Sequence, residues 1–149
     1  MREILFRGKT NEGKWVEGQL LHFKASVGSG ELAVIVEGCE WDNSNEWFNL
    51  GKRAKVLPET VGQFTGLTDK NGKKIFDGDI VRADDYIFSV KYGQCGGVEN
   101  AETYGYMEFY LEAVSERTKL CAKYGLRDAI CYFTNIRVIG NIHDNPEIL

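Results

Sequence analysis

Apolar residues recur along this chain in short runs of four to eight, parted by glycine, asparagine and aspartate. That pattern predicts strands and tight turns rather than long helices. Glu3-Ile4-Leu5-Phe6-Arg7-Gly8, the polar Lys9-Thr10-Asn11-Glu12-Gly13 and Lys14-Trp15-Val16-Glu17-Gly18-Gln19-Leu20-Leu21 spell a β-hairpin, with Gly13 supplying the positive φ of its loop. A bulge near Gly18 would bring Trp15 and Val16 into one alternation. Leu32-Ala33-Val34-Ile35-Val36-Glu37 reads as a buried strand, and Gly38 to Gly51 as a polar surface loop whose Trp41, Trp47 and Phe48 fold back or make contacts.

Lys55-Val56-Leu57 predicts a brief strand ended by Pro58. Asp69-Lys70-Asn71-Gly72-Lys73-Lys74 is a reverse turn, with Asn-Gly favouring type I′ geometry, and Asp77-Gly78 is a second turn. Strands are expected at Asp79-Ile80-Val81, from Tyr86 to Gly93, from Tyr106 to Val114 and from Ile136 to Ile142. Ser115 to Gly125 is the best helix candidate, with Ser115 as cap and Gly125 as stop. Two closely spaced turns around short strands describe a small coiled barrel.

Composition narrows the classes. A chain of 149 residues with 43% hydrophobic and 27% charged positions is one ordinary domain or two small ones. A net charge of -4 lacks the basic footprint of a nucleic-acid binder, and the groups Lys52, Arg53, Lys55 and Lys70, Lys73, Lys74 read first as solvated faces. The opening Met1 to Phe6 is too short in its apolar run for a signal sequence, and no stretch approaches a membrane span. The expectation is therefore a cytoplasmic protein with reduced thiols.

The chemistry-bearing residues are dispersed. His22, Cys39, Cys95, Cys121, Cys131 and His143 stand singly, whereas zinc needs ligands in close motifs. Neither histidine neighbours a nucleophile in a way that orients an imidazole. Asp77 and Asp79 could hold Mg²⁺ or act as acid and base, but turn formation explains them more simply. Tyr86, Phe88, Tyr92, Tyr104, Tyr106 and Tyr110 could stack on bases, although alternation alone sends half of them inward. Trp41, Trp47 and Phe48 could anchor a protein partner or a second subunit, or cap this protein's own core.

Three blocks have a familiar order. Met1-Arg2-Glu3-Ile4-Leu5-Phe6-Arg7-Gly8-Lys9 with Trp15-Val16-Glu17-Gly18 opens the chain, Pro58 to Leu67 with Asp69 to Val81 forms its centre, and Val138-Ile139-Gly140-Asn141-Ile142-His143-Asp144-Asn145-Pro146-Glu147 closes it. Together they resemble the YopX family of phages and prophages. The resemblance implies an N-terminal α+β part and a C-terminal part like a small SH3-type barrel. It carries no established activity, so no functional residue transfers with it.

The combined expectation is a mainly β protein with minor α. Residues 1–55 form an N-terminal α+β sheet part, and residues 56–149 an SH3-like barrel with a variable loop or helix insertion at about 94–130. The expected function is that of a non-enzymatic phage or prophage accessory protein that binds macromolecules. No catalytic, cofactor or metal residue is assigned. A protein partner or self-association is expected. The alternatives are nucleic-acid binding and a metal-dependent enzyme using the Asp-bearing turn.

Overall fold

A computed structural model describes residues 3–24, 30–42, 47–95, 106–114 and 123–149, with side chains at all of these but 39, 41, 42, 47–49, 95, 106, 123 and 124. The chain divides into two compact units, Met1–Phe64 and Thr65–Leu149.

The first unit is an antiparallel sheet of β1 (Phe6–Lys9), β2 (Trp15–Lys24), β3 (Glu31–Asp42), β4 (Trp47–Val56) and the start of β5 (Gly62–Thr68), in the order β4-β3-β2-β1-β5. The expected hairpin is β1–β2, paired from Phe6↔Gly18 to Lys9↔Trp15. In β2 the inward positions are Val16, Gly18 and Leu20, an unbroken period of two, so the bulge expected near Gly18 is not needed. Val16, Ala33, Ile35 and Val56 form the core, with Phe6, Leu20, Ala54 and Val61 packed against it. After β4 the chain folds back on β1 through a 3₁₀ turn, Pro58–Thr60. The Lys9 carbonyl accepts the Leu57 N–H at 2.8 Å, and the Lys9 N–H donates to Thr60 Oγ1 at 2.9 Å. Among the described residues this unit holds no α-helix, so its implied α+β character is not seen there.

In the second unit the rest of β5 pairs with β6 (Lys74–Phe76). A second antiparallel sheet follows: β7 (Asp79–Ala83), β8 (Tyr86–Cys95), β9 (Tyr106–Ala113), β10 (Lys123–Gly125) and β11 (Ile136–Asn141), in the order β10-β9-β8-β7-β11. Val81, Ala83, Phe88, Val90, Leu111 and Ile136 face the core, and helix α1 (Leu126–Tyr132) adds Leu126 and Ala129. Among the described residues this sheet runs from β10 to β11 without closing into a barrel. The protein is mainly β, with one α-helix among the described residues.

Two expectations need correction. The described part of the segment 38–51 is strand and not loop: 38–42 belong to β3 and 47–51 to β4, the arms of one long hairpin. It reads as a loop because polar residues fill it, yet cross-strand backbone bonds carry the pairing regardless of side chain. The helix also lies later than expected. Lys123–Gly125 is strand, and Gly125, the expected stop, is the N-cap of α1. The earlier part of that candidate, 115–122, lies outside the described residues.

Candidate partner-binding site

Strand β2 supports β3 only as far as Gln19↔Val36. Beyond that point, among the described residues, β3 pairs with β4 alone, through Glu37↔Lys52, Cys39↔Leu50, Glu40↔Asn49, Trp41↔Phe48 and Asp42↔Trp47. The far half of the hairpin is therefore a two-stranded ribbon, and β4 is an edge strand along its whole length. Glycines mark where the ribbon leaves the sheet. Gly38 has φ +82°, and a Cβ on Gly51 would lie 2.0 Å from the Glu37 carbonyl oxygen. Only glycine allows both the left-handed turn and that approach without strain. A two-stranded ribbon is marginal in water, and its free edge offers N–H and C=O groups to another chain.

An open cavity of about 670 Å³ lies at the foot of the ribbon, where β2 and β3 part. Glu3, Glu17 and Glu37 border it together with Leu5, Gly18 and Gly38, and among the described residues no lysine or arginine lines it. The side-chain amide of Gln19 donates to the Ile4 carbonyl at 3.0 Å and fastens the segment before β1 to β2. One guanidinium of this sheet is engaged elsewhere: Arg7 lies over the Trp15 ring, 4.9 Å from its centroid. Three carboxylates around a concave opening produce a negative potential that favours cationic groups.

Trp41, Trp47 and Phe48 fall on the distal ribbon by backbone register, Trp41 opposite Phe48 and Trp47 beside it in sequence. The other candidates are not gathered. His22 pairs with Glu31 at 3.5 Å, both exposed. His143 lies in the turn after β11, where its N–H donates to Asn141 Oδ1 at 3.0 Å. Cys131 is an exposed thiol on α1, Cys39 and Cys95 are strand positions, and Cys121 lies outside the described residues. Among the described residues no group of three or more His, Cys, Asp or Glu is placed to hold a metal ion. Of the aromatic series, Phe88 and Tyr110 are buried and Tyr86 and Tyr92 are exposed, while Tyr104 lies outside the described residues. No helix among them is long and apolar enough to cross a membrane.

The family model of the YopX protein matches residues 5–149. The chain belongs to the YopX family. The crystal structure of protein EF1440 from Enterococcus faecalis is similar over 100% of this chain and 99% of that one, with a TM-score of 0.58 and 23% identity, which is a likeness of fold. No functionally curated protein matches the chain in sequence.

The central block behind the YopX resemblance is a series of backbone devices. Thr60 Oγ1 donates to the Leu57 carbonyl at 2.7 Å while accepting the Lys9 N–H. Thr65 Oγ1 donates to the Ile75 carbonyl at 2.9 Å. Asp79 is fully buried, and its Oδ2 accepts the Phe76 N–H at 2.8 Å, closing the turn that holds Asp77 and Gly78.

Asp69 is the residue whose role the sequence reading missed. It is 5% exposed, and its carboxylate accepts three backbone N–H groups: Asn71 at 2.8 Å, Lys73 at 2.9 Å and Val138 at 3.0 Å. Burial pushes its pKa up, but the bonds from Val138, Lys73 and Asn71 and the nearby Lys73 charge outweigh it and hold the carboxyl below its ordinary value. The same carboxylate corrects the turn type. Type I′ needs positive φ at both Asn71 and Gly72, but only Gly72 has it, at +80°. The Gly72 N–H reaches the Asp69 carbonyl at 3.0 Å, so the turn spans 69–72 and Gly72 follows it as a left-handed bulge. An Asp ahead of x-x-Gly at a hairpin end is the local signal that could have found it.

Proposed function

We propose that this YopX-family chain is a non-enzymatic accessory protein of phage or prophage origin that acts in the cytoplasm by binding another protein. The β3–β4 ribbon is its docking arm, with Trp41, Trp47 and Phe48 as anchors at the far end. The observation that carries this reading is that β3 and β4 continue past the last residue of β2 that pairs with them. A ribbon without a third strand adds little to the stability of its own sheet, while tryptophan and phenylalanine are enriched where partners meet. The carboxylates at its foot add selectivity for a partner with basic residues and disfavour a polyanionic strand. Asp79, buried and bonded to the Phe76 N–H, serves the turn, which supports the non-enzymatic reading. Self-association is the form this function takes if the partner is a second copy.

The test replaces residues 39–50 by a two-residue Asn-Gly turn. The parent chain should retain one stoichiometric protein from prophage-bearing host cells, or form a dimer by light scattering. The shortened chain should keep its circular dichroism and lose that association. Equal association by a folded shortened chain would defeat the proposal.

A further inference from the structure

A second cavity, in the other unit, lies apart from the ribbon in sequence and in chemistry. It measures about 340 Å³ and is lined by Arg82, Asp84, Asp85, Asn135 and Arg137. Small-ligand pockets start at about 300 Å³. Arg82 on β7 and Arg137 on β11 are directly opposed partners in the sheet. Opposed residues project from the same face, and like charges so placed destabilise a sheet. Both side chains are exposed, and among the described residues neither guanidinium has a hydrogen bond or ion pair. Two guanidinia that project from one face into one cavity, neither engaged in an ion pair among the described residues, suit a tetrahedral oxyanion.

Another part of the wall carries the reverse charge. Asp84 and Asp85 form the two-residue loop between Ala83 and Tyr86. Asp84 is the one non-glycine residue with positive φ among the described residues, at +51°. That conformation is strained for most side chains and less so for Asp. A bonded rim fixes this wall: Thr134 Oγ1 donates to Asp84 Oδ1 at 3.2 Å, Asn135 Nδ2 donates to Thr134 Oγ1 at 3.4 Å, and Lys70 Nζ donates to Asn135 Oδ1 at 2.6 Å. The lining therefore combines two cations with carboxylate acceptors. A long phosphodiester strand would meet repulsion from both carboxylates. A compact molecule that carries both a phosphate and hydroxyls satisfies both kinds of group.

We propose that this cavity binds a small phosphomonoester bearing hydroxyl groups, with the phosphate between Arg82 and Arg137 and the hydroxyls donating to Asp84 and Asp85. No covalent step is involved.

Calorimetric titration of the full chain at low salt tests the proposal, with ribose 5-phosphate, inorganic phosphate, ribose and a single-stranded oligonucleotide as probes. Ribose 5-phosphate should bind saturably, inorganic phosphate more weakly, and ribose and the oligonucleotide not at all. Arg82→Gln or Arg137→Gln should weaken ribose 5-phosphate by about tenfold or more, the scale of one charge-assisted hydrogen bond. Each should also keep or raise the melting temperature, since a like-charge pair is relieved. The double variant Asp84→Asn with Asp85→Asn keeps the turn geometry and should erase most of the preference for ribose 5-phosphate over phosphate. No saturable binding of ribose 5-phosphate, binding that survives both arginine substitutions, or tighter and steeply salt-dependent binding of the oligonucleotide would overturn the proposal. A lower melting temperature in both arginine variants would also overturn it, because the arginines would then be structural.

Discussion

The turn from β5 to β6 and the far half of the β3–β4 hairpin are both hairpin ends, and the fold treats them in opposite ways. At the first, the buried Asp69 carboxylate gathers N–H groups from its own turn and from Val138 on β11, so the hairpin end is tied to a third strand. At the second, residues past Glu37 pair only within the hairpin. The β1–β2 turn is a useful control because it repeats the construction of the first without the tie. Gly13 N–H bonds the Thr10 carbonyl at 2.9 Å, and Thr10 Oγ1 takes the Lys14 N–H at 3.2 Å, where Asp69 Oδ1 takes that of Lys73. A hydroxyl in a partly exposed turn closes one hairpin, while a buried carboxylate closes a hairpin and fastens it to a distant strand. A hairpin end that serves the core is pinned by buried polar groups. The docking proposal assigns the other kind of end, which runs past the strand that supports it, to contacts outside its own sheet.

The largest effect expected from breaking this contrast is at Asp69. Asp69→Ala leaves three backbone donors without their acceptor and should lower the unfolding free energy by about 3 kcal/mol, read from urea titration. Asp69→Asn exposes the charge dependence. Because the folded carboxyl titrates below its ordinary value of 3.8, its contribution is complete above that value and is lost as pH falls through the lower folded one. The stability gap between parent and Asp69→Asn should thus be constant from neutral pH to about pH 5 and shrink below it. A gap that widened on acidification would contradict the assignment. Next in size is the untied turn. Thr10→Ala should cost about 0.5–1 kcal/mol, the worth of one ordinary hydrogen bond in a partly exposed site. A cost equal to that of Asp69→Ala would erase the distinction between them. The smallest effect is at the ribbon, where replacing 39–50 by Asn-Gly should change unfolding free energy by no more than about 0.5 kcal/mol.

The sequence made much of this legible, and the losses have physical causes. Strands with one face on a core were readable because burial imposes a pattern: Leu32 to Glu37, Asp79 to Val81 and Ile136 to Asn141 are strands as expected. The ribbon was not readable, since polar residues fill it and backbone pairing does not depend on side-chain type. Trp41, Trp47 and Phe48 stand out in the sequence as aromatics in a polar stretch, yet their place on paired strands depends on a register the side chains do not advertise. Helix α1 was missed because it is seven residues long and buries Leu126 and Ala129 with Ile130 packed beside them, a patch too short for a visible stripe. The Asp69 tie was illegible because its third donor is Val138, 69 positions away. The Arg82–Arg137 pair was hidden in the same way, since only the β7–β11 register brings the two together.

Native-state hydrogen exchange on the free chain tests the central contrast most directly, because it reads both hairpin ends in one sample. Amides that open only with the core should exchange slowest, and amides in a segment that opens alone should exchange fast even when hydrogen-bonded. Strong protection is expected at Val138, Lys73 and Phe76, and weak protection across residues 39–50. Ribbon amides protected as strongly as Val138 would mean that the hairpin end is as firmly held as the rest, and would contradict the claim that it is left free for a partner.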